Sequence, residues 1–285
     1  MKYLKGKNRL IISDADDFNI IHILECGQVF SYQNIGEAYY VFPKNKLCKV
    51  FVQDEKYIIE TDDVLFFENY FDLKTDYSNI KKQLNSFDEL SYSVDFGYGI
   101  RILKQDLLET IISFIISSNN NIKRIKNTLF EIRKHFNHKI DNEFGVLIYA
   151  FPSLEELKTL DEDFFKRVGA GYRAKYLVKT IDMLDEFLKK YWLENSKKLP
   201  TKLLEEKLME LCGVGRKVAE CVLLFGYGKH DVFPVDTWIK KVYKDVFGAK
   251  EFDASKICDF LIDRYKNLSG YAQQYLFYSK RGNKF

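Results

Sequence analysis

Two residues of this chain have the types and spacing of a nucleophile and its electrostatic partner. Lys217 closes the run Leu211-Cys212-Gly213-Val214-Gly215-Arg216-Lys217, and Asp236 lies a short helix further on, in Phe233-Pro234-Val235-Asp236. An amine can attack a sugar carbon, and a carboxylate can stabilise the cation that develops there. Two glycines in a hairpin let backbone N–H groups approach a nucleic-acid phosphate, since no Cβ holds it away. The dipole of a helix beginning near Arg216, and burial beside Val218 and Cys221, both disfavour a charged ammonium at Lys217 and leave more neutral amine for attack. A lysine after Gly-x-Gly taken alone is equally a phosphate-binding charge, and Asp236 is equally the N-cap of a helix starting at Thr237. Together they predict an enzyme acting on DNA.

The elements that must position this pair are helical. Beyond about residue 104 the apolar spacing predicts helices over 105–118, 122–136, 154–160, 164–168, 173–191, 203–211, 216–225, 237–247, 254–266 and 271–280. The hairpin falls between two of them, which gives a helix-hairpin-helix at about 203–226. Between residues 37 and 61 the runs Tyr39–Phe42, Leu47–Val52 and Lys56–Thr61 are separated by Pro-Lys-Asn and Gln-Asp-Glu, which predicts an antiparallel meander. The expected fold is α+β: an N-terminal antiparallel β-sheet domain over 1–100, packed on a larger all-α domain over 101–285.

Composition narrows the function classes. The 285 residues, 46% of them hydrophobic, can bury a sizeable core, but no apolar stretch approaches the roughly 20 residues a membrane helix needs. No signal-peptide pattern opens the chain, so a cytoplasmic location is expected, nucleoid-associated if the source is prokaryotic. Cysteines at 26, 48, 212, 221 and 258 include no Cys-x-x-Cys, which points away from a disulfide framework, a zinc site or an iron–sulfur cluster. The net charge of +3 conceals a division. Residues 1–100 carry 11 Lys+Arg against 16 Asp+Glu, and residues 101–285 carry 33 against 25, so the second part is the expected home of a polyanion site.

The run from Leu211 to Ala219 followed by Pro234-Val235-Asp236 resembles the hairpin and catalytic loop of the helix-hairpin-helix DNA glycosylases. Further segments narrow the likeness: Cys26-Gly27-Gln28-Val29-Phe30, Ser117-Ser118-Asn119-Asn120-Asn121-Ile122-Lys123-Arg124, Gly171-Tyr172-Arg173-Ala174, and Ala272-Gln273-Gln274-Tyr275-Leu276-Phe277. In that order they resemble the 8-oxoguanine DNA glycosylase/lyase family. The resemblance implies a bifunctional repair enzyme that flips 8-oxoguanine out of duplex DNA, excises it opposite cytosine and cuts the abasic site by β-elimination, with Lys217 and Asp236 as catalytic residues.

The same resemblance assigns the other roles. Gly27, Gln28, Cys221, Phe225, Gln273 and Phe277 fall to the lesion-base pocket, the Gly27 carbonyl sensing the hydrogen that 8-oxoguanine carries on N7. Asn119, Arg124 and Arg173 fall to the estranged cytosine, with Tyr172 as a wedge and Asn120 filling the vacated gap. The backbone at Gly213, Val214 and Gly215, together with Trp238, falls to DNA phosphates. No cofactor is required, a cation held by hairpin carbonyls is allowed, and the expected partner is double-stranded DNA met by a monomer.

The chain departs from the family pattern at Cys212, where many relatives have proline, at Phe225, where methionine is common, and at Trp238, where histidine is usual. Tryptophan donates one hydrogen bond but carries no charge. Two other readings are a glycosylase of the same fold for another oxidised base, and a non-catalytic module that uses the hairpin only as a phosphate clamp.

Overall fold

The computed structural model describes residues 1–13, 15–140, 142–191, 198–248 and 253–282. Six strands, β1 (Tyr3–Lys5), β2 (Arg9–Ile12), β3 (Tyr32–Ile35), β4 (Ala38–Val41), β5 (Cys48–Gln53) and β6 (Lys56–Thr61), form one antiparallel sheet in the order β1-β2-β6-β5-β4-β3. The expected meander is β4, β5 and β6. Register Gln53↔Lys56 leaves Asp54 and Glu55 as a two-residue turn at φ 49° and 60°, the left-handed pair a tight hairpin requires. Strands β1, β2 and β3 were not anticipated. β2 joins the sheet through Leu10↔Ile59 and Ile12↔Tyr57, a pairing across the sequence that no local turn signals.

The chain divides into two compact units. The first holds residues 1–40, 48–104 and 229–285, and the second 41–47 and 105–228. The chain thus returns to the first unit twice. In that unit the helices α1 (Ile20–Glu25), α2 (Val64–Tyr70), α3 (Tyr77–Leu84) and α4 (Ser91–Phe96) accompany the sheet. The C-terminal helices α12 (Thr237–Phe247), α13 (Ala254–Tyr265) and α14 (Ser269–Gly282) join them, α14 packing on α4, α12 and α13. The cause is apolar burial: Tyr271, Tyr275 and Leu276 of α14 are buried, and Tyr271 meets Tyr77 edge-on with centroids 5.7 Å apart. Arg101 ties the first unit together from its core. Fully buried, it donates to the carbonyls of Phe71 and Asp17 at 3.0 Å each and also to that of Asp72, and it lies over the Tyr77 ring.

The second unit is helical, with α5 (Leu107–Ser117), α6 (Ile122–Phe136), α7 (Leu154–Leu157), α8 (Glu162–Arg167), α9 (Ala174–Tyr191), α10 (Thr201–Met209) and α11 (Arg216–Val222). Helix α5 buries almost every side chain, as expected of a run so uniformly apolar. Residues 41–47 belong here because Glu109 of α5 accepts from the Lys44 amide at 2.9 Å and pairs with the buried Arg133 at 2.5 Å. Among the described residues no helix is long and apolar enough to cross a membrane.

Candidate active site

The hairpin between α10 and α11 takes its shape from one glycine and leaves the other free for a partner. Gly213 has φ +82°, and a Cβ there would lie 2.7 Å from the Tyr176 side chain. Gly215 has ordinary extended backbone and faces open space, so its missing side chain serves no internal packing. The buried Val214 side chain anchors the turn, whose Val214 amide donates to the Leu211 carbonyl at 3.1 Å. The Thr180 hydroxyl of α9 donates to the Cys212 carbonyl at 2.6 Å, fixing the hairpin from outside.

Helix α11 and the π-helical turn that follows it carry three of the expected residues on one face. Lys217, Cys221 and Phe225 recur at intervals of four, the last in a π-helical turn, Leu223–Tyr227, that widens the end of the helix. The Lys217 ammonium is 5.3 Å from the centre of the Phe114 ring of α5, and that ring stacks on Phe225 with centroids 5.4 Å apart. Cys221 and Phe225 are buried. The amine thus projects from an apolar wall.

The expected opposite-base residues gather in the same unit, at the end of α5 and the start of α9. Asn119 is held at φ +49°, a left-handed position that asparagine tolerates better than most side chains. Asn120 donates to the Ile116 carbonyl at 3.0 Å, and Asn121 caps α6 through the Arg124 amide at 3.0 Å. Arg124 itself is exposed, and Tyr172 leaves 52% of its surface open. Arg173 is bonded to the backbone around it. It is buried, donating through Nε to the Ser118 carbonyl at 2.6 Å, through Nη2 to that of Asn119 at 2.7 Å, and through Nη1 to that of Ala170 at 3.1 Å. In this state it braces the Ser118–Asn119 turn rather than offering itself to a base.

The remaining candidates belong to the first unit. Gly27 has φ +80°, and a Cβ there would lie 2.8 Å from the Phe277 ring of α14, so glycine is required on two grounds. Gln273, one turn before Phe277 on α14, donates to the Pro234 carbonyl at 3.2 Å and accepts from Gln274 at 2.6 Å. Asp236 caps α12, accepting from the amides of Trp238 and Ile239 at 2.9 Å each, so its carboxylate is held rigidly by its own helix. Lys241 lies 4.6 Å from the centre of the Trp238 ring, which puts a positive charge beside that side chain.

Gln28, also assigned to the lesion pocket by resemblance, is bonded within the protein. With 0% of its surface exposed, it donates to the carbonyls of Ile23 and Arg101 at 2.9 and 2.8 Å and accepts from the Leu103 amide at 2.8 Å. It is a strut beneath the Gly27 turn, because a buried amide must satisfy its polar atoms inward. The neighbouring Cys26 thiol is pushed up to about 12 by burial and stays neutral. Sequence reasoning overlooked Arg101, which extends this network, and Arg281, whose Nη1 would lie 3.5 Å from a Cβ on Gly27. A lone arginine within the apolar Gly99-Ile100-Arg101-Ile102-Leu103 is a visible signal for the first; nothing in the sequence marks the second.

Comparison with known proteins places these observations in context. Residues 10–111 match the model of the 8-oxoguanine DNA glycosylase N-terminal domain, and residues 112–266 match that of the HhH-GPD superfamily of base excision DNA repair proteins. The N-glycosylase/DNA lyase OGG1 of Arabidopsis thaliana is 34% identical over 70% of the chain and 56% of its own length. A probable N-glycosylase/DNA lyase of Methanothermobacter thermautotrophicus is 32% identical over 74% of the chain and 72% of its own length. The 8-oxoguanine glycosylase/lyase of Clostridium acetobutylicum, solved with double-stranded DNA containing cytosine opposite 8-oxoguanine, superposes with a TM-score of 0.91. It is 36% identical, covering 100% of this chain and 99% of that one.

Proposed function

Because this chain belongs to the 8-oxoguanine DNA glycosylase family of the helix-hairpin-helix base excision superfamily, we propose that it excises 8-oxoguanine from duplex DNA and then cleaves the abasic strand. The observation that carries this reading is the placement of Lys217. Its amine stands in the first turn of α11, immediately after the hairpin whose Gly215 leaves the backbone open to a phosphate, and on an apolar wall made by Phe114, Cys221 and Phe225.

In the proposed mechanism the amides at Gly213, Val214 and Gly215 take a backbone phosphate and fix the register of the duplex. The lesion leaves the stack to lie against Phe277 and Cys221, with its N7 hydrogen on the Gly27 carbonyl and its Watson–Crick edge on Gln273. Lys217 Nζ attacks C1′ while the glycosidic bond breaks, its electron pair leaving with the base. The Asp236 carboxylate stabilises the positive charge that gathers on the sugar. Loss of a proton from nitrogen and ring opening give a Schiff base at C1′. Removal of a C2′ proton then expels the 3′ phosphate, and water releases the enzyme.

Asn119, Asn120, Arg124, Tyr172 and Arg173 would face the orphaned cytosine, Arg173 first releasing the turn carbonyls it now holds. The chemistry calls on no cofactor. The Leu211 and Cys212 carbonyls keep a second lone pair each beyond their bonds to Val214 and Thr180, so a monovalent cation fits the hairpin as an aid to phosphate binding. A monomer acting in the cytoplasm completes the reading, and light scattering of the DNA complex checks its stoichiometry.

Borohydride reduction tests the nucleophile. With a duplex carrying 8-oxoguanine opposite cytosine, the wild-type protein is expected to yield a covalent protein–DNA adduct and Lys217→Gln none. An adduct that survives the substitution assigns the attack to another residue. Tight duplex binding without base release would instead make the hairpin a mere clamp.

A further inference from the structure

Arg281, on the last turn of α14, carries a buried donor. Its Nη1 is shielded from solvent and has no hydrogen-bond partner among the described residues. Buried polar groups are nearly always paired, so an unpaired guanidinium N–H marks a place where an acceptor is supplied from outside. The position of this one is informative. Nη1 would lie 3.5 Å from a Cβ on Gly27, and the guanidinium carbon is 5.7 Å from the centre of the Phe277 ring. The donor therefore stands beside the glycine proposed to sense the lesion and beside the ring proposed to stack on it.

We propose that Arg281 is a specificity-determining residue of the lesion pocket, donating a hydrogen bond from Nη1 to the C8 carbonyl oxygen of the flipped base. The inference rests on the proposed excision of 8-oxoguanine and deepens it. Oxidation changes guanine at two adjacent positions: N7 gains a hydrogen, and C8 gains an acceptor oxygen. The Gly27 carbonyl reads the first change and Arg281 reads the second, so an acceptor and a donor side by side meet a donor and an acceptor side by side. Guanine satisfies neither, having an acceptor at N7 and a C–H at C8. The donor is already unpaired before a base enters, so 8-oxoguanine gains a charge-assisted hydrogen bond that guanine cannot make, and that difference discriminates against the undamaged base. The Phe277 ring supports the guanidinium meanwhile, as a cation–aromatic pair.

Single-turnover kinetics test this with two substrates, a duplex bearing 8-oxoguanine opposite cytosine and the same duplex with a preformed abasic site that offers no base. For Arg281→Met the ratio of excision rate to abasic cleavage rate is expected to fall by about ten- to a hundredfold, the loss of one charge-assisted hydrogen bond. Arg281→Lys, which keeps the charge but moves the donor, should show most of that fall. The same drop is expected in a Phe277→Ala background. An unchanged ratio, whether both rates fall together or neither falls, overturns the proposal by making Arg281 merely structural or idle. A drop that disappears once Phe277 is removed overturns it too, assigning Arg281 to support of the ring. Wild-type protein that cuts the abasic duplex but releases no 8-oxoguanine sinks the proposed function itself, a separate outcome.

Discussion

At Asp236 one carboxylate serves two ends, and substitution can separate them. Its Oδ1 caps α12 through two amides, and its charge is the proposed stabiliser of the sugar cation. Asparagine caps a helix about as well as aspartate, whereas alanine removes the cap at a cost of roughly 0.5–2 kcal/mol. Asp236→Asn should therefore unfold in urea near the wild-type midpoint and Asp236→Ala at a lower one, while both lose excision. Gln28 presents the opposite case, a residue of the lesion motif whose polar atoms are spent inside the protein. Gln28→Leu strands the Arg101 carbonyl and the Leu103 amide in a buried setting and leaves the Ile23 carbonyl only the Cys26 thiol, which predicts about 2–4 kcal/mol of lost stability by the same measurement.

The two hairpin glycines show at the level of the element why spacing and geometry are different kinds of information. Gly213 sits at φ +82° against Tyr176, so Gly213→Ala strains the backbone and collides with a ring; a loss of roughly 1–3 kcal/mol is expected in thermal unfolding. Gly215 has extended backbone and open space around it, so Gly215→Ala should leave the unfolding temperature nearly unchanged. Both substitutions should weaken duplex binding in fluorescence anisotropy, the first by reshaping the hairpin and the second by holding the phosphate off. Equal unfolding temperatures for the two variants would contradict this division of labour. The π turn after α11 belongs to the same scale. It places Phe225 over Phe114 at the end of the wall that carries Lys217, and Phe225 is also held through its carbonyl, which accepts from Gln105 at 2.9 Å.

Across the molecule, buried titratable groups set the expected response to pH. Burial holds both His22 and His230 below the ordinary 6.5, so the folded state prefers them neutral. Their contribution is intact above pH 6.5 and is lost as pH falls through the lower folded values, because the unfolded chain binds the protons first. Glu68 is held below its ordinary 4.5 by hydrogen bonds from Lys5 and Tyr3, so its share persists to about that pH and is lost beneath it. The urea midpoint should decline from pH 6.5 downward and more steeply below 4.5. Combining His22→Gln with His230→Gln should flatten the upper part of the slope. All three groups lie in the first unit. Charge is also distributed differently from the linear sequence. The second unit carries 22 Lys+Arg against 18 Asp+Glu and the first 22 against 23, because the basic C-terminal segment shares a unit with the acidic first hundred residues.

The helix-hairpin-helix, the β4–β6 meander and the cap at Asp236 were legible in the chain alone, each written in local spacing: glycines at a turn, alternation in a strand, a carboxylate before a helix. The family was legible through the resemblance its motifs carry. Tertiary structure alone decided that β2 pairs with β6, that α14 returns to the N-terminal unit, that Gln28 and Arg173 turn inward, and that Arg281 stands beside Gly27. These outcomes depend on which distant surfaces exclude water together and where buried polar atoms find partners, and neither condition leaves a mark at any fixed interval along the chain.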